Sequence, residues 1–445
     1  MATYKKNLSS AEWSKFQINL FRIGSIFLFL LTVPLDPAYY KKLFSFNWLH
    51  LHFQDVFQIT NYVPHVIHVS DWGISSFLGW GLALLVGVIG AVIWGIIDKG
   101  KTKNYDGLYY WLRVLLRFRL GIGLIGYGII KLFPVQIPHP TLSDLHTAYG
   151  DFLPWKIYYL STGVSSALYE QTLGAIEIAA GLLLFFRRTA IVGAGIATAV
   201  LTNIVLANFA YQLGEHVYSF YLLLISVVII SYDVTRLYNL LVKERLAIAD
   251  YYQPTFGSMR KIRYGIKLMV LLFILSYGAL TYAAYHKSNW PFPDSKGLPN
   301  AYGVYNVREF KINDSLLPYS ATDTTRWQDV VFEKWNVLSI KENKHLPIDL
   351  SSPHIDYQEN IQRDYESKGN GGRAFYSYSF TDSSITLTNK NLASDIIQFR
   401  ISRPNTATIL LNGKDSNNDS LHIVLDKVNK NYLLDKGRRK PITIY

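Results

Sequence analysis

The sequence of 445 residues contains no cysteine. The chain can therefore form no disulfide, thiolate nucleophile, cysteine-ligated metal site or iron–sulfur cluster. Its C-terminal part shows no catalytic triad, phosphate-binding loop or paired carboxylates. The apolar segments show no inverted repeat or paired broken helices, which transporters use, so a transporter is a weaker third interpretation. These absences exclude thiol chemistry by the chain itself and leave no enzyme class indicated by a motif.

Hydrophobic residues make up 50% of the chain and aromatic residues 15%, with a mean hydropathy of +0.12. This average is typical of a chain divided between membrane and water. The formal net charge of +12 could suggest nucleic acid. However, the basic residues cluster beside the ends of apolar segments, as topology signals do, so we expect the lipid bilayer and not nucleic acid as partner.

Apolar segments of suitable length predict seven transmembrane helices. Their expected bounds are Phe16–Val33, Ile74–Ile97, Tyr110–Phe133, Leu168–Phe186, Thr189–Tyr211, Val217–Tyr232 and Tyr264–Tyr285. The first is interpreted as a signal anchor, because no small-residue cleavage site follows it. Lysine and arginine concentrate at the N-terminus and after the second, fourth and sixth segments. The positive-inside rule then predicts a cytoplasmic N-terminus and an extracytoplasmic C-terminal part, in a bacterial cytoplasmic (inner) membrane.

After about residue 287 the pattern changes to short β-branched and aromatic stretches separated by turn residues. This pattern predicts an antiparallel β barrel or sandwich. The predicted fold class is therefore an α-helical polytopic membrane bundle followed by a β domain. The expected divisions are a two-helix segment with an outer loop (1–106), a four-helix core (107–240), a loop with the seventh helix (241–286) and the β domain (287–445).

Four histidines lie in the loop between the first two predicted spans: His50, His52, His65 and His68. The spacings HLH and HVIH could direct imidazoles to one metal ion from a strand and from a helical turn. No nearby carboxylate is clearly placed to complete such a site. We therefore expect no metal here, and interfacial histidines are the favoured interpretation.

Charged residues within the apolar segments are the main candidate site. Lys131 lies near the end of the third predicted span, and Glu170 and Glu177 lie in the fourth. At 100° per residue both carboxylates share a helical face with Gly174 and Gly181. Charges in hydrocarbon normally face protein or water, and glycine allows two helices to approach closely. The pattern predicts that these helices meet and bury a Lys131–Glu170/Glu177 site.

Other polar residues are weaker candidates. Asn203 and Asn208 fall on opposite faces of the fifth span, so at most one can face the charged site, and Asn203 is the predicted member. Arg113, Arg117 and Arg119 are interpreted as marking the cytoplasmic end of the third span. Snorkelling to the interface would also explain Lys131 and Glu170, but not the deeper Glu177. An ion pair that only fixes helix register is a further alternative.

The central part of the sequence resembles the DoxX family of bacterial membrane proteins. The resemblance depends on WLRVLLRFRLGIGLIGYGIIKL, on LGAIEIAAGLLLFFRR and on the small-residue segment that follows. It covers roughly Leu108 to Arg236, and the first two helices, the seventh and the β domain are additions. The lysine and glutamate at positions 131 and 177 match the family's intramembrane charges.

The resemblance implies a redox-associated membrane component. DoxX-like proteins have been linked to quinol oxidation and to thiol redox partners, so a quinone is the implied ligand and a membrane or extracytoplasmic redox protein the implied partner. The absence of cysteine departs from any thiol-exchange role for this chain. The alternative is a non-catalytic membrane module whose β domain recruits a partner and whose buried charges are structural.

Overall fold

The computed structural model describes residues 12–62, 72–165, 167–247 and 260–436. It divides into two compact units, which are described separately. The helical unit comprises Met1–Leu132 and Gln171–Thr281, and the barrel unit comprises Phe133–Glu170 and Tyr282–Tyr445. The segment between the third and fourth predicted spans therefore belongs with the β domain, a grouping that the sequence divisions did not anticipate.

Helices occupy most of the described chain before residue 288. In chain order they are α1 (Lys15–Thr32), α2 (Pro37–Ser45), α3 (Phe53–Thr60), α4 (Leu78–Asp98), α5 (Asp106–Leu132), α6 (Leu142–Leu145), α7 (Pro154–Gly163), α8 (Ala167–Leu184), α9 (Ala190–Tyr211), α10 (His216–Ser231), α11 (Val234–Leu241) and α12 (Arg260–Lys287). Local sequence explains several of their ends. Ser14 caps α1 in a reciprocal capping box with Gln17, and Asp36 caps α2 directly before Pro37.

Five of the described helical segments are long and apolar enough to cross a membrane, and six if the bent pair α10–α11 counts as one span. The five correspond to the first, second, fourth, fifth and seventh predicted spans, and the bent pair corresponds to the sixth. The third predicted span is α5, which has 27 residues but carries Asp106, Arg113, Arg117, Arg119 and Lys131. Because of these five charged residues, α5 is not among the helices that are apolar enough to cross a membrane. One face of α5 nevertheless lies in the core of the helical unit.

The core of the helical unit lies where α5 meets α9 and α10. Leu116, Leu120 and Leu124 of α5 are at most 2% exposed and pack in one cluster with Leu201 of α9 and Ile225 of α10. Their spacing of about one helical turn explains why they share a face. Helices α1 and α4 also pair with each other in this unit.

The β domain is a closed antiparallel barrel. Its strands are β1 (Gly303–Ile312), β2 (Ser315–Leu316), β3 (Asp329–Phe332), β4 (Val337–Lys341), β5 (Ala374–Phe380), β6 (Ser384–Asn389), β7 (Ile396–Asn405), β8 (Thr408–Lys414) and β9 (Ser420–Lys427). The strands from β3 to β9 pair in sequence order, and β1 pairs with both β3 and β9 to close the ring, with β2 outside it. A four-residue helix, α13 (Leu433–Lys436), follows. The predicted combination of helices and an antiparallel β barrel is thus confirmed at this level.

The barrel interior is filled by side chains. Phe310, Phe332, Ile340, Phe399 and Ile423 are each at most 2% exposed and belong to one cluster. Alternate residues along β7 point inward and outward, which is the period of two expected for a strand with one wet face. A barrel of this size therefore has a packed core, as small barrels usually do.

Candidate functional site

Glycine brings α5 and α8 into backbone contact. A Cβ atom added at Gly174 would lie 2.5 Å from the Gly128 carbonyl oxygen and 2.6 Å from the Leu132 amide nitrogen. One added at Gly181 would lie 2.8 Å from the Gly121 carbonyl oxygen. Only residues without a side chain fit at such separations. The two glycine stripes identified in the sequence thus face each other.

This contact places Lys131 beside Glu177. The Lys131 ammonium donates to Glu177 Oε1 at 2.5 Å, and the two side chains are 13% and 2% exposed. The Lys131 Nζ also lies 5.7 Å from the centre of the Tyr127 ring, one turn earlier on α5. Burial of both partners makes the pair an ionic site of low dielectric instead of a solvated surface contact.

The second carboxylate oxygen of Glu177, Oε2, is buried without a hydrogen bond from the described part of the chain. An unsatisfied buried carboxylate oxygen is costly, and it provides an acceptor for a proton or for a hydroxyl group. The pair therefore offers one cationic donor and one vacant anionic acceptor.

The remaining predicted members of the site lie elsewhere. Glu170 belongs to the barrel unit, where its side chain is 7% exposed and is close enough to interact electrostatically with Tyr365. Asn203 lies on an exposed face of α9, so the structure does not bring it to the buried pair. Asn208 is the buried asparagine, because it shares a face with Leu201, and it donates to Ser219 Oγ at 2.8 Å.

The histidine-rich loop shows no metal centre in its described part. His50 and His52 are both exposed, and His52 Nδ1 lies 3.5 Å from Asp55 Oδ2 at the start of α3. His65 and His68 lie outside the described residues. No group of three or more histidine, aspartate or glutamate side chains that could hold a metal ion occurs among the residues described.

Arg119 has a role that sequence reasoning missed. It lies 13 residues after Asp106, about 20 Å along α5 from the first residue of that helix. Its guanidinium donates to the carbonyl oxygens of Thr60 at 2.8 Å and Tyr62 at 2.6 Å, at the C-terminal end of α3. A cation is favourable at a helix C-terminus. Backbone acceptors leave no sequence signal, which explains why this contact could not be predicted.

A second buried charge, Lys156, lies in the barrel unit. Its side chain is fully buried, donates to the Tyr365 carbonyl oxygen at 2.9 Å and lies 3.8 Å from Asp144 Oδ1. Its ammonium also lies 4.1 Å from the centre of the Tyr365 ring. Burial lowers the pKa of Lys156, with Asp144 opposing that shift. The sequence around Lys156 is aromatic and gives no indication that the lysine turns inward.

Glu333 connects the segment Phe133–Glu170 to the barrel. Its carboxylate accepts from the Ser143 amide at 2.8 Å and the Ser143 hydroxyl at 2.6 Å. Burial raises the pKa of Glu333 to about 7, although the hydrogen bonds from Ser143 lower it. Arg373, 1% exposed, donates to Ser339 Oγ at 2.7 Å and to the His146 carbonyl oxygen at 3.2 Å. These contacts explain why the segment folds with the β strands.

Comparisons with known proteins give little further guidance. No family model and no curated protein matches the sequence. One solved structure, a redesigned β barrel, is similar over 31% of this chain and 99% of its own, with 10% identity and a TM-score of 0.17. A TM-score this low does not establish a shared fold.

Proposed function

We propose that the protein is a DoxX-like, redox-associated component of the bacterial cytoplasmic membrane, which binds a quinone-like molecule between Lys131 and Glu177. In this proposal the chain crosses the membrane seven times, with α5 as the third span. The N-terminus is cytoplasmic and the β barrel extracytoplasmic. Membrane association is supported by the five long apolar helices, and the orientation by the distribution of lysine and arginine in the sequence.

The observation that carries the proposal is the vacant oxygen of Glu177. Glu177 Oε2 is buried without a partner among the described residues, and the Lys131 ammonium lies on the other oxygen of the same carboxylate. When bound, a quinone-like head group would supply carbonyl acceptors for a cation and, in its reduced form, a hydroxyl donor for a carboxylate. Lys131 would orient such a group, and Glu177 would hold or release a proton at Oε2.

Protein purified in native lipid tests this proposal through its quinone content. We expect extraction of the wild-type protein to release an isoprenoid quinone, and the Glu177→Gln variant to retain much less of it. Glu12→Gln is the matched control, because Glu12 forms an exposed ion pair with Lys103 at 2.7 Å. Folded wild-type protein that carries no quinone, and binds none on titration, would remove the proposal.

A second candidate function is a non-catalytic membrane module whose β domain recruits a partner protein. The backbone contact between Gly128 and Gly174 supports one part of this alternative, a structural role for the charges, because helices this close can use a buried ion pair to fix their register. This alternative predicts that Glu177→Gln lowers stability or abundance and leaves quinone content per folded molecule unchanged. The same extraction, normalised to folded protein, therefore distinguishes the two functions.

A further inference from the structure

A small basic cavity lies at the start of α9, in the helical unit and separate from the Lys131–Glu177 pair. Three arginines line it, Arg113 and Arg117 from α5 and Arg187 from the turn before α9, together with Ala190 of the first turn of α9. Arg117 is 6% exposed and donates to the Leu184 carbonyl oxygen at 2.9 Å. The free volume is about 30 Å³, which suits one compact charged group.

The charge around this cavity is positive overall. Asp106 and Asp233 also line it, but Asp233 lies 3.6 Å from both Arg113 and Arg236 and so is shared between two cations. Arg263 of α12 is close enough to Arg117 to add to the positive potential there. The first turn of α9 contributes amide groups and the positive end of a helix dipole. The cavity is therefore suited to an anion.

An apolar groove is lined by residues that are adjacent in sequence to residues of the basic cavity. Phe118, Phe185 and Phe186 line it from one side, and Leu268 and Leu271 of α12 from the other. Its free volume is about 240 Å³, which suits a hydrocarbon chain. Phe118 directly follows Arg117 on α5, and Arg187 directly follows Phe186, so residues that line the two features are neighbours in the chain at two places.

One further cation lies along the groove. Lys267 Nζ is 4.3 Å from the centre of the Phe186 ring, and Lys267 interacts electrostatically with Arg117 and Arg263. Lys267 and Ile274 both line the groove and are separated by seven residues of helix, or about 10 Å. Because Lys267 lines the groove and Arg117 lines the cavity, this interaction places the two features near each other. A basic cavity near an apolar groove matches a molecule with an anionic head and a long hydrocarbon tail.

We infer that this cavity and groove bind an anionic phospholipid, with its phosphate against Arg117 and Arg187 and one acyl chain along α12. Arginine forks bind phosphate oxygens well, and basic pockets between membrane helices favour anionic head groups. The inference rests on the proposed membrane placement of the helices. It is independent of quinone binding, because neither Lys131 nor Glu177 lines the cavity or the groove.

Delipidated full-length protein in neutral detergent provides the test. Binding is measured for phosphatidylglycerol, for phosphatidylcholine with the same chains, and for glycerol phosphate, which has the anionic group without chains. We expect phosphatidylglycerol to bind at least tenfold more tightly than either of the others. Equal binding of both lipids would overturn the inference, and glycerol phosphate binding as tightly as phosphatidylglycerol would assign the site to a free phosphate.

Two matched pairs of variants locate the site. Arg187→Gln is expected to weaken phosphatidylglycerol binding about tenfold, whereas Arg188→Gln, the adjacent exposed arginine, should leave it unchanged. Leu271→Trp fills the groove and should weaken binding, whereas Leu272→Trp, which does not line it, should not. The second pair keeps the test decisive if Arg187→Gln unfolds. Equal binding within both pairs would refute this location.

Discussion

The helical unit and the barrel unit place their apolar side chains in opposite ways. Four apolar residues of α4 are 41–58% exposed: Val88, Ile89, Val92 and Ile93. By contrast, Ile397, Phe399 and Ile401 of β7 are at most 7% exposed and lie in the barrel core. An exposed belt of this kind is stable in hydrocarbon, and the alternating strand is stable in water. The distribution of apolar side chains therefore suits hydrocarbon in the helical unit and water around the barrel unit.

Buried charges that have different kinds of partner occur in the two units. In the helical unit, Lys131 and Glu177 form a close pair at 2.5 Å. In the barrel unit, Lys156 uses a backbone carbonyl as well as a carboxylate, and Glu333 depends on Ser143. A pair is sensitive to loss of one partner, whereas a network spreads that loss over several groups.

Breaking the pair in the helical unit should have the largest effect. Lys131→Met leaves the Glu177 carboxylate buried without a cation, so we expect a loss of about 3–5 kcal/mol in the free energy of unfolding. Lys103→Met removes an exposed pair and should cost about 1 kcal/mol or less. Thermal unfolding of both variants in lipid nanodiscs measures the difference, and equal losses would contradict a desolvated pair.

In the barrel unit the corresponding test is pH dependence. The pKa of Glu333 is about 7 when folded and near 4.5 when unfolded, so the folded form retains its proton longer as pH rises. The contribution of Glu333 is therefore fully present below about pH 4.5 and lost by about pH 7, a change of roughly 3 kcal/mol. We expect the free energy of unfolding of the wild-type protein to fall as pH rises across this range, and we expect the Glu333→Gln variant to lack this fall. The same pH dependence of the free energy of unfolding in the variant would show that another group titrates.

The glycine contact tests whether close approach supports the pair. We expect Gly174→Ala to destabilise the helical unit by about 2 kcal/mol, since the new methyl group meets backbone atoms that cannot move aside. Gly195→Ala is the control, because nothing lies within 4 Å of its added Cβ. Melting temperatures in the same nanodiscs provide the comparison. A tolerated Gly174→Ala would mean that α5 and α8 are farther apart.

We expect the smallest change in the free energy of unfolding from substitutions on the solvent-exposed surface of the barrel. Arg308 and Asp426 form an ion pair at 3.0 Å, with side chains 56% and 36% exposed. Water and salt screen such a pair, so Arg308→Ala should change the unfolding free energy by less than about 1 kcal/mol. A loss comparable with that of Lys131→Met would remove the contrast between the two units.

Periodicity predicted the helices and the β domain because both depend on local spacing. The face shared by Glu177, Gly174 and Gly181 could likewise be predicted, since it follows from 100° per residue. Arg119 and Lys156 could not, because their acceptors are backbone carbonyl groups distant in sequence. The burial of Asn208 and the exposure of Asn203 could not be predicted either, because two asparagines on opposite faces give no indication of which one packs inward.

The most direct test of the central claim is a high-resolution map of the natively purified protein in lipid, inspected beside Glu177. The account predicts flat, non-protein density within hydrogen-bonding distance of Glu177 Oε2 and Lys131 Nζ. Density showing Glu177 Oε2 enclosed by the protein's own side chains, or facing acyl chains with Lys131 turned away, would contradict it.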